Sequence, residues 1–251
     1  MRIRAISISD RKGIRKTNIS EGELREGFGL AGDAHGGSWH RQVSLLAQES
    51  IETMRAKGLD VVAGNFAENI TTEGIDLSLL SVGDHLAIGK TEVVVSQLGK
   101  VCHHRCAIYH QAGDCVMPRE GIFAIVHRGG TVRVGDAIGA TGRRSPAVGV
   151  VCTEPVEKMF GRGIVEAVTA RWAPAFTRCD RLREDGANLS QLLDDLSGRQ
   201  MLDRVIVFDP EGRYGLGVAA YAAAASTASI AARRISHCTT TEAIVRLPEA
   251  A

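Results

Sequence analysis

The 251-residue chain changes character near residue 145, and that change limits its fold more than any other feature of the sequence. Before it, short β-type runs are punctuated by Gly and Asp. Arg2–Ile8 alternates like a strand with one slip at Ala5-Ile6, and Gln42–Leu46, Leu86–Ile88, Glu92–Gln97 and Ile122–His127 read as further strands. Ala47–Lys57, closed by Gly58, reads as a helix. Val82-Gly83-Asp84 and Val134-Gly135-Asp136 each precede a short apolar run, a pattern of two similar β-turns feeding strands. Many short strands joined by Gly-Asp turns predict a compact barrel or folded sheet.

After Arg143-Arg144-Ser145-Pro146 strands and helices alternate. Val148–Cys152, Ala175–Cys179, Val205–Phe208 and Ala243–Leu247 read as strands. Gly163–Trp172, Leu189–Leu196 with Asn188 as N-cap, and the Ala-rich Leu216–Arg234 read as helices. The expectation is a mainly β, barrel-like domain over residues 1–143 and a small α/β domain with parallel pairing over residues 147–251.

Composition excludes several function classes. A net charge of +1 gives no global reason to expect a nucleic-acid or membrane partner, and 4% aromatic residues leave little for a base-stacking platform. Met1–Arg15 lacks the apolar core of a secretory signal, and the small-apolar run Gly215–Ala232 is too weakly hydrophobic for a membrane span. The expected location is cytoplasmic, where six cysteines are free thiols, ligands or catalytic groups sooner than disulfides.

Chemistry concentrates in three segments. Gly99–Gly121 holds Cys102, Cys106, Cys115, His103, His104 and His110. Cys102 and Cys106 share a face on either a strand or a helix, so they could serve one ligand. Three readings stay open: a zinc site on Cys102, Cys106, Cys115 and one His, a reactive thiol, or buried cysteines without function. Lys100, His103, His104 and Arg105 surround Cys102 with cations that would favour its thiolate. Gly32–Arg41 offers His35, His40 and Arg41 as donors for a phosphate or other oxyanion, or is a Gly-rich loop with solvated side chains. Gly64–Thr72 gathers Asn65, Glu68, Asn69, Thr71 and Thr72, which could line a pocket for a polar heterocycle or satisfy one another in a turn.

Taken together, these segments resemble the MOSC family, the domain related to the C-terminal part of molybdenum cofactor sulfurases. The resemblance covers roughly residues 1–142. It is carried by Gly32-Asp33-Ala34-His35 with His40-Arg41, by Gly64–Gly74 (GNFAENITTEG), by Val82-Gly83-Asp84, and by Ser96-Gln97 leading to Cys102. It implies a β-rich barrel-like fold and a role in handling sulfur for metal–sulfur cofactors through Cys102. Some relatives bind molybdenum cofactor, a pterin dithiolene with a phosphate, and others take part in reducing N-hydroxylated compounds. One common form of the family has Arg and Pro between the Gln and the Cys. Here the stretch reads Gln97-Leu98-Gly99-Lys100-Val101-Cys102, with Lys100 as the basic group.

The resulting expectation is a protein that binds molybdenum cofactor, or a related pterin, and carries sulfur on Cys102 as a thiol or persulfide. Lys100, His104 and Arg105 would stabilise the thiolate. His35, His40 and Arg41 would contact phosphate or pterin, and Asn65, Glu68 and Asn69 would shape the pocket. A cysteine desulfurase as donor and a molybdoenzyme as acceptor are the implied partners. The alternatives are a non-catalytic metal-binding module on Cys102, Cys106 and Cys115, with zinc, or a component of a molybdenum-dependent reductase. Residues 147–251 are similar to a degenerate molybdopterin-binding fold lacking its Gly-rich signature. Gly212–Gly217 reads there as a turn and helix start, or as an anion site.

Overall fold

The computed structural model describes residues 1–99, 107–153, 163–226 and 235–248. The chain divides into two compact units, Met1–Arg144 and Ser145–Ala251.

In the first unit, eight of the strands among the described residues form one sheet. They are β1 (Arg2–Ile8), β2 (Thr17–Ile19), β5 (Val43–Ala47), β6 (Ile70–Glu73), β7 (Asp84–Ile88), β8 (Thr91–Leu98), β9 (Ile122–Arg128) and β11 (Ile138–Arg144), in the order β11-β7-β8-β9-β5-β6-β1-β2. Three more strands, β3 (Glu21–Arg25), β4 (Gly29–Leu30) and β10 (Gly130–Arg133), form a small sheet in the order β10-β3-β4. The large sheet curls until the start of β11 meets β1, where Arg2 bridges Ala137 and the Ile3 N–H donates to the Asp136 carbonyl at 2.9 Å. The result is a curled half-barrel with helices.

Period-two patterning sorts side chains to its two faces. On β5, Leu45 joins the inner cluster with Ile3, Ile6, Ile70, Leu86 and Val93, whereas Leu46 joins an outer cluster with Ile51, Met54, Phe66 and Phe123. That outer cluster buries helix α1 (Gln48–Ala56), which lies in the crossover between the parallel pair β5 and β6. Gly58, at φ +88°, closes the turn after it.

The repeated Val-Gly-Asp motif is one device used twice. Gly83 and Gly135 take φ of +98° and +94°, and each Asp accepts from the backbone N–H three residues earlier: Ser81 to Asp84 and Arg133 to Asp136, both at 2.8 Å. The strands that follow, β7 and β11, pair with each other antiparallel, with Ile88 opposite Ile138.

The second unit has a four-stranded parallel sheet, β13-β12-β14-β15, built from β12 (Val148–Cys152), β13 (Thr177–Arg181), β14 (Arg204–Phe208) and β15 (Ile235–Cys238). Every residue of β12 and β14 is buried, as central parallel strands require. Helices cover Ile164–Trp172, Leu189–Leu193, Gly215–Ser226 and Thr241–Val245. Two local expectations are corrected. Residues 243–247 do not form a strand: Thr240 caps a helix there, accepting from the Ala243 N–H at 3.2 Å, and Ile244 is fully buried. Asn188 precedes its helix but does not cap it. Its side chain turns back to accept from the Arg183 N–H and donate to the Arg181 carbonyl, at 2.8 and 3.1 Å.

Candidate functional site

The loop between β4 and β5 is anchored by a buried ion pair. Asp33 Oδ2 accepts from Lys16 Nζ at 2.8 Å and from the Ser9 N–H at 3.0 Å, with both side chains at most 1% exposed. Asp33 Oδ1 accepts from the His35 N–H at 2.9 Å and lies 3.2 Å from His35 Nδ1. Burial pushes the Asp33 carboxyl up, but the hydrogen bonds from His35 and Lys16 outweigh it and hold the group well below the usual carboxylate range. Burial also pulls Lys16 below its ordinary value, against the attraction of Asp33 and Glu68. The Asp33 carboxylate suits the tautomer with the hydrogen on His35 Nδ1.

From this anchor the loop runs to the edge of the cysteine-rich segment. Trp39 Nε1 donates to the His35 carbonyl at 2.9 Å. The Arg41 guanidinium lies 4.6 Å from the centre of the Trp39 ring and 5.8 Å from that of Phe123, within cation–π range of both. His40 Nε2 is 2.9 Å from Gln97 Oε1, the Ser96 hydroxyl donates to the His40 carbonyl, and Gln97 Nε2 donates to the Gly99 carbonyl at 2.7 Å. The Gly99 N–H in turn donates to the Gly121 carbonyl at 2.6 Å, so the segment between them leaves the sheet and returns at one place. Trp39 thus links the His35 backbone to the Arg41 guanidinium, and Gln97 ties His40 to the base of that segment. Lys100, Cys102, His103, His104, Arg105 and Cys106 lie outside the described residues. Cys115 is 8% exposed and packs in the outer apolar cluster with Ile108, Val116 and Phe123.

The third segment directs its polar groups inward. Glu68 is fully buried and accepts from the Gly64 N–H at 2.5 Å, the Phe66 N–H at 3.1 Å and the Thr71 hydroxyl at 3.0 Å. Burial pushes its carboxyl above the ordinary value despite these bonds. Asn69 Oδ1 accepts from the Ser44 N–H at 3.1 Å and the Ser44 hydroxyl at 3.0 Å, and its Nδ2 donates to the Ser7 carbonyl at 3.2 Å. Asn65 Oδ1 faces the Val62 N–H at 3.4 Å within the turn. Gly64, at φ +90°, passes so close to the residue before β2 that a Cβ would meet the Lys16 carbonyl at 2.6 Å. A groove of about 470 Å³ elsewhere in the unit is lined by Glu49, Asp76 and Glu120, a carboxylate set that repels an anionic ligand.

Residues 32–139 match the family model described as the MOSC domain. This unit is a MOSC domain. The match takes in the 33–41 loop, the Gly64–Thr72 turn and both Val-Gly-Asp turns, and ends at the start of β11. Among solved structures the chain is similar to one titled "Crystal structure of an hypothetical protein" (22% identity, TM-score 0.45, covering 58% of this chain and 70% of that one). It is also similar to YiiM from Escherichia coli (21%, 0.43, 58% and 72%) and to YiiM from Geobacillus stearothermophilus (21%, 0.45, 57% and 75%). No curated protein matches.

The MOSC domain also carries a second polar cluster that the sequence did not announce. His85, Glu92 and His127, from β7, β8 and β9, bring one ligand atom each within 4.8 Å of the others. Their spacing along the chain carries no motif, and only strand pairing unites them. Burial pushes Glu92 up, but hydrogen bonds from His85 and Arg143 prevail and hold its carboxyl below the ordinary value. Lys16 was equally silent, since nothing in its sequence surroundings marks it as a buried partner for Asp33.

Proposed function

We propose that the MOSC domain binds molybdenum cofactor, or a related pterin carrying a phosphate, and handles sulfur through Cys102. The observation that carries this reading is the 33–41 loop, in which Trp39 links His35 to Arg41 and Gln97 holds His40 at the base of the Gly99–Gly121 segment. The donor set fits the ligand. Two imidazoles and a guanidinium suit a phosphate, and the one carboxylate beside them, Asp33, is neutralised by Lys16. Trp39 and Phe123 hold the guanidinium plane before a ligand arrives, which lowers the ordering cost of binding.

In this reading His35 and Arg41 contact the phosphate, while His40 is oriented by Gln97 toward the pterin. Glu68 and Asn69 build the wall behind them without touching ligand. When bound, the cofactor supplies a sulfur-ligated metal capable of redox and sulfur chemistry. The chain's own step is sulfur carriage. The Cys102 thiolate attacks the outer sulfur of a donor persulfide. A new S–S bond forms at Cys102, the donor's S–S bond breaks, and its thiolate leaves with the electron pair. Lys100, His104 and Arg105 supply positive charge that favours the attacking thiolate. A cysteine desulfurase suits the donor role and a molybdoenzyme the acceptor role.

The test is purification from cells with intact cofactor biosynthesis, followed by assay of bound pterin and of Cys102 by intact mass. Stoichiometric pterin and an added sulfur atom on Cys102, lost in Cys102→Ser, are expected. Finding neither in the wild-type protein overturns the reading.

A further inference from the structure

The cluster of His85, Glu92 and His127 has no part in the cofactor reading, and its donor set is that of a metal site. Glu92 and His85 are buried, at 4% and 5% exposed, and His85 Nδ1 lies 2.5 Å from Glu92 Oε1. His127 is exposed, and its ring meets the His85 ring edge-on with centroids 5.1 Å apart. A cation already sits among these atoms. The Arg143 guanidinium bonds Glu92 Oε1 and lies 3.0 Å from His85 Nδ1, while Arg128 approaches Glu92 Oε2 at 3.5 Å.

We propose that His85, Glu92 and His127 form a binding site for a divalent transition metal of the zinc class, and that Arg143 is the cation the metal displaces. Two imidazoles and one carboxylate form a three-ligand set that suits Zn²⁺ and leaves a fourth position to solvent. The three ligands come from adjacent paired strands, so the sheet fixes their Cα positions. In a tetrahedral zinc site neighbouring ligand atoms stand about 3.3 Å apart, given bonds of about 2.0 Å. The three ligand atoms all lie within 4.8 Å of one another, so reaching that spacing is within the reach of side-chain rotation. Glu92 is buried with the Arg143 and Arg128 guanidiniums against its carboxyl oxygens, and a metal would place positive charge at the same point. Arg143 can leave without disturbing the core, since its side chain is 59% exposed on an edge strand.

The test is Zn²⁺ competition against a chromogenic chelator on the full chain, with Co²⁺ absorption to report ligand type. Wild type should bind one Zn²⁺ at this site, and Co²⁺ should add a spectrum without thiolate charge-transfer bands. His127→Ala, at an exposed position that leaves folding intact, should weaken binding at least 10-fold, roughly the scale of losing metal-orienting contacts. Arg143→Ala should tighten it several-fold. Binding unchanged by His127→Ala, or a Co²⁺ spectrum made only of thiolate bands, overturns the site and leaves a structural ion-pair network. Weaker binding in Arg143→Ala overturns the displacement by metal.

Discussion

The 33–41 loop and the 62–72 turn are equally rich in polar side chains, yet they direct them oppositely. In the turn, Glu68 and Asn69 are at most 1% exposed and take their partners from nearby backbone and from Ser44 and Ser7. In the loop, the buried Lys16–Asp33 pair carries the structural burden, while His35, His40 and Arg41 remain part-exposed above it. The difference teaches that polar density marks two kinds of region. One kind is a scaffold whose hydrogen bonds are closed within the protein. The other is a surface whose side chains are held from below and stay part-exposed.

Breaking the anchor should have the largest effect. Lys16→Met leaves the Asp33 carboxylate buried with its charge partner gone, a change that costs about 3–5 kcal/mol in comparable pairs. Urea denaturation should report that loss, and pterin retention should fall with it because the loop loses its base. The double variant Lys16→Met/Asp33→Leu should recover much of the stability, since no unpaired buried charge remains. A single-variant loss below about 1 kcal/mol would remove the anchor from the account.

Asn69→Ala comes next. It removes the side-chain partner of the Ser44 N–H and of the Ser7 carbonyl, while the Ser44 hydroxyl keeps the Ala67 carbonyl and the Asn69 N–H, and each buried group left unpaired costs about 1–3 kcal/mol before relaxation. A total near 3 kcal/mol is expected from urea midpoints. Pterin bound per folded molecule should stay unchanged, because Asn69 supports the wall without reaching the ligand. A selective loss of pterin at unchanged stability would move Asn69 from the scaffold to the site.

The two buried carboxylates should also separate by pH. The Asp33 pKa is depressed in the folded state, so its contribution is full above the unfolded value of about 3.9 and is lost as pH falls through the depressed one. The Glu68 pKa is raised, so its contribution is full below about 4.3 and fades as pH rises through the raised one. Urea midpoints measured from acid to neutral pH should therefore show Asp33→Asn flattening the acid side and Glu68→Gln flattening the decline above it. Slopes of the same sign for both residues would contradict the opposed environments.

Local pattern made parts of this fold legible. The alternation in Arg2–Ile8 and the apolar run Val148–Cys152 coincide with β1 and β12, and the two Val-Gly-Asp turns were readable because Gly and Asp supply the needed φ and acceptor. What stayed hidden was non-local. The pairing of β10 with β3 joins residues a hundred positions apart, with Thr131 opposite Glu23, and strand propensity alone names no partner. The helix at Thr241–Val245 read as a strand because a short apolar run fits either period, and the Thr240 cap decided it. In the candidate site, residue types in the 33–41 loop pointed to an anion, but whether a polar side chain faces inward or outward depends on backbone neighbours. That is why Asn65, Glu68 and Asn69 read the same as His35, His40 and Arg41.

The smallest change in stability should accompany the largest change in binding at Arg41. Its guanidinium stacks on Trp39 and lies near Phe123, an arrangement worth about 1 kcal/mol at a part-exposed position. Arg41→Ala should therefore shift the urea midpoint by no more than that. The same change removes the one permanent positive charge in the proposed donor set, because His35 and His40 are cationic only when protonated. Retained pterin should fall at least 10-fold, and Arg41→Lys should restore part of it by charge while losing the planar, bidentate contact. If Arg41→Ala keeps its pterin, the loop's outward donors are solvated surface, and the contrast with the inward-facing turn is one of exposure without function.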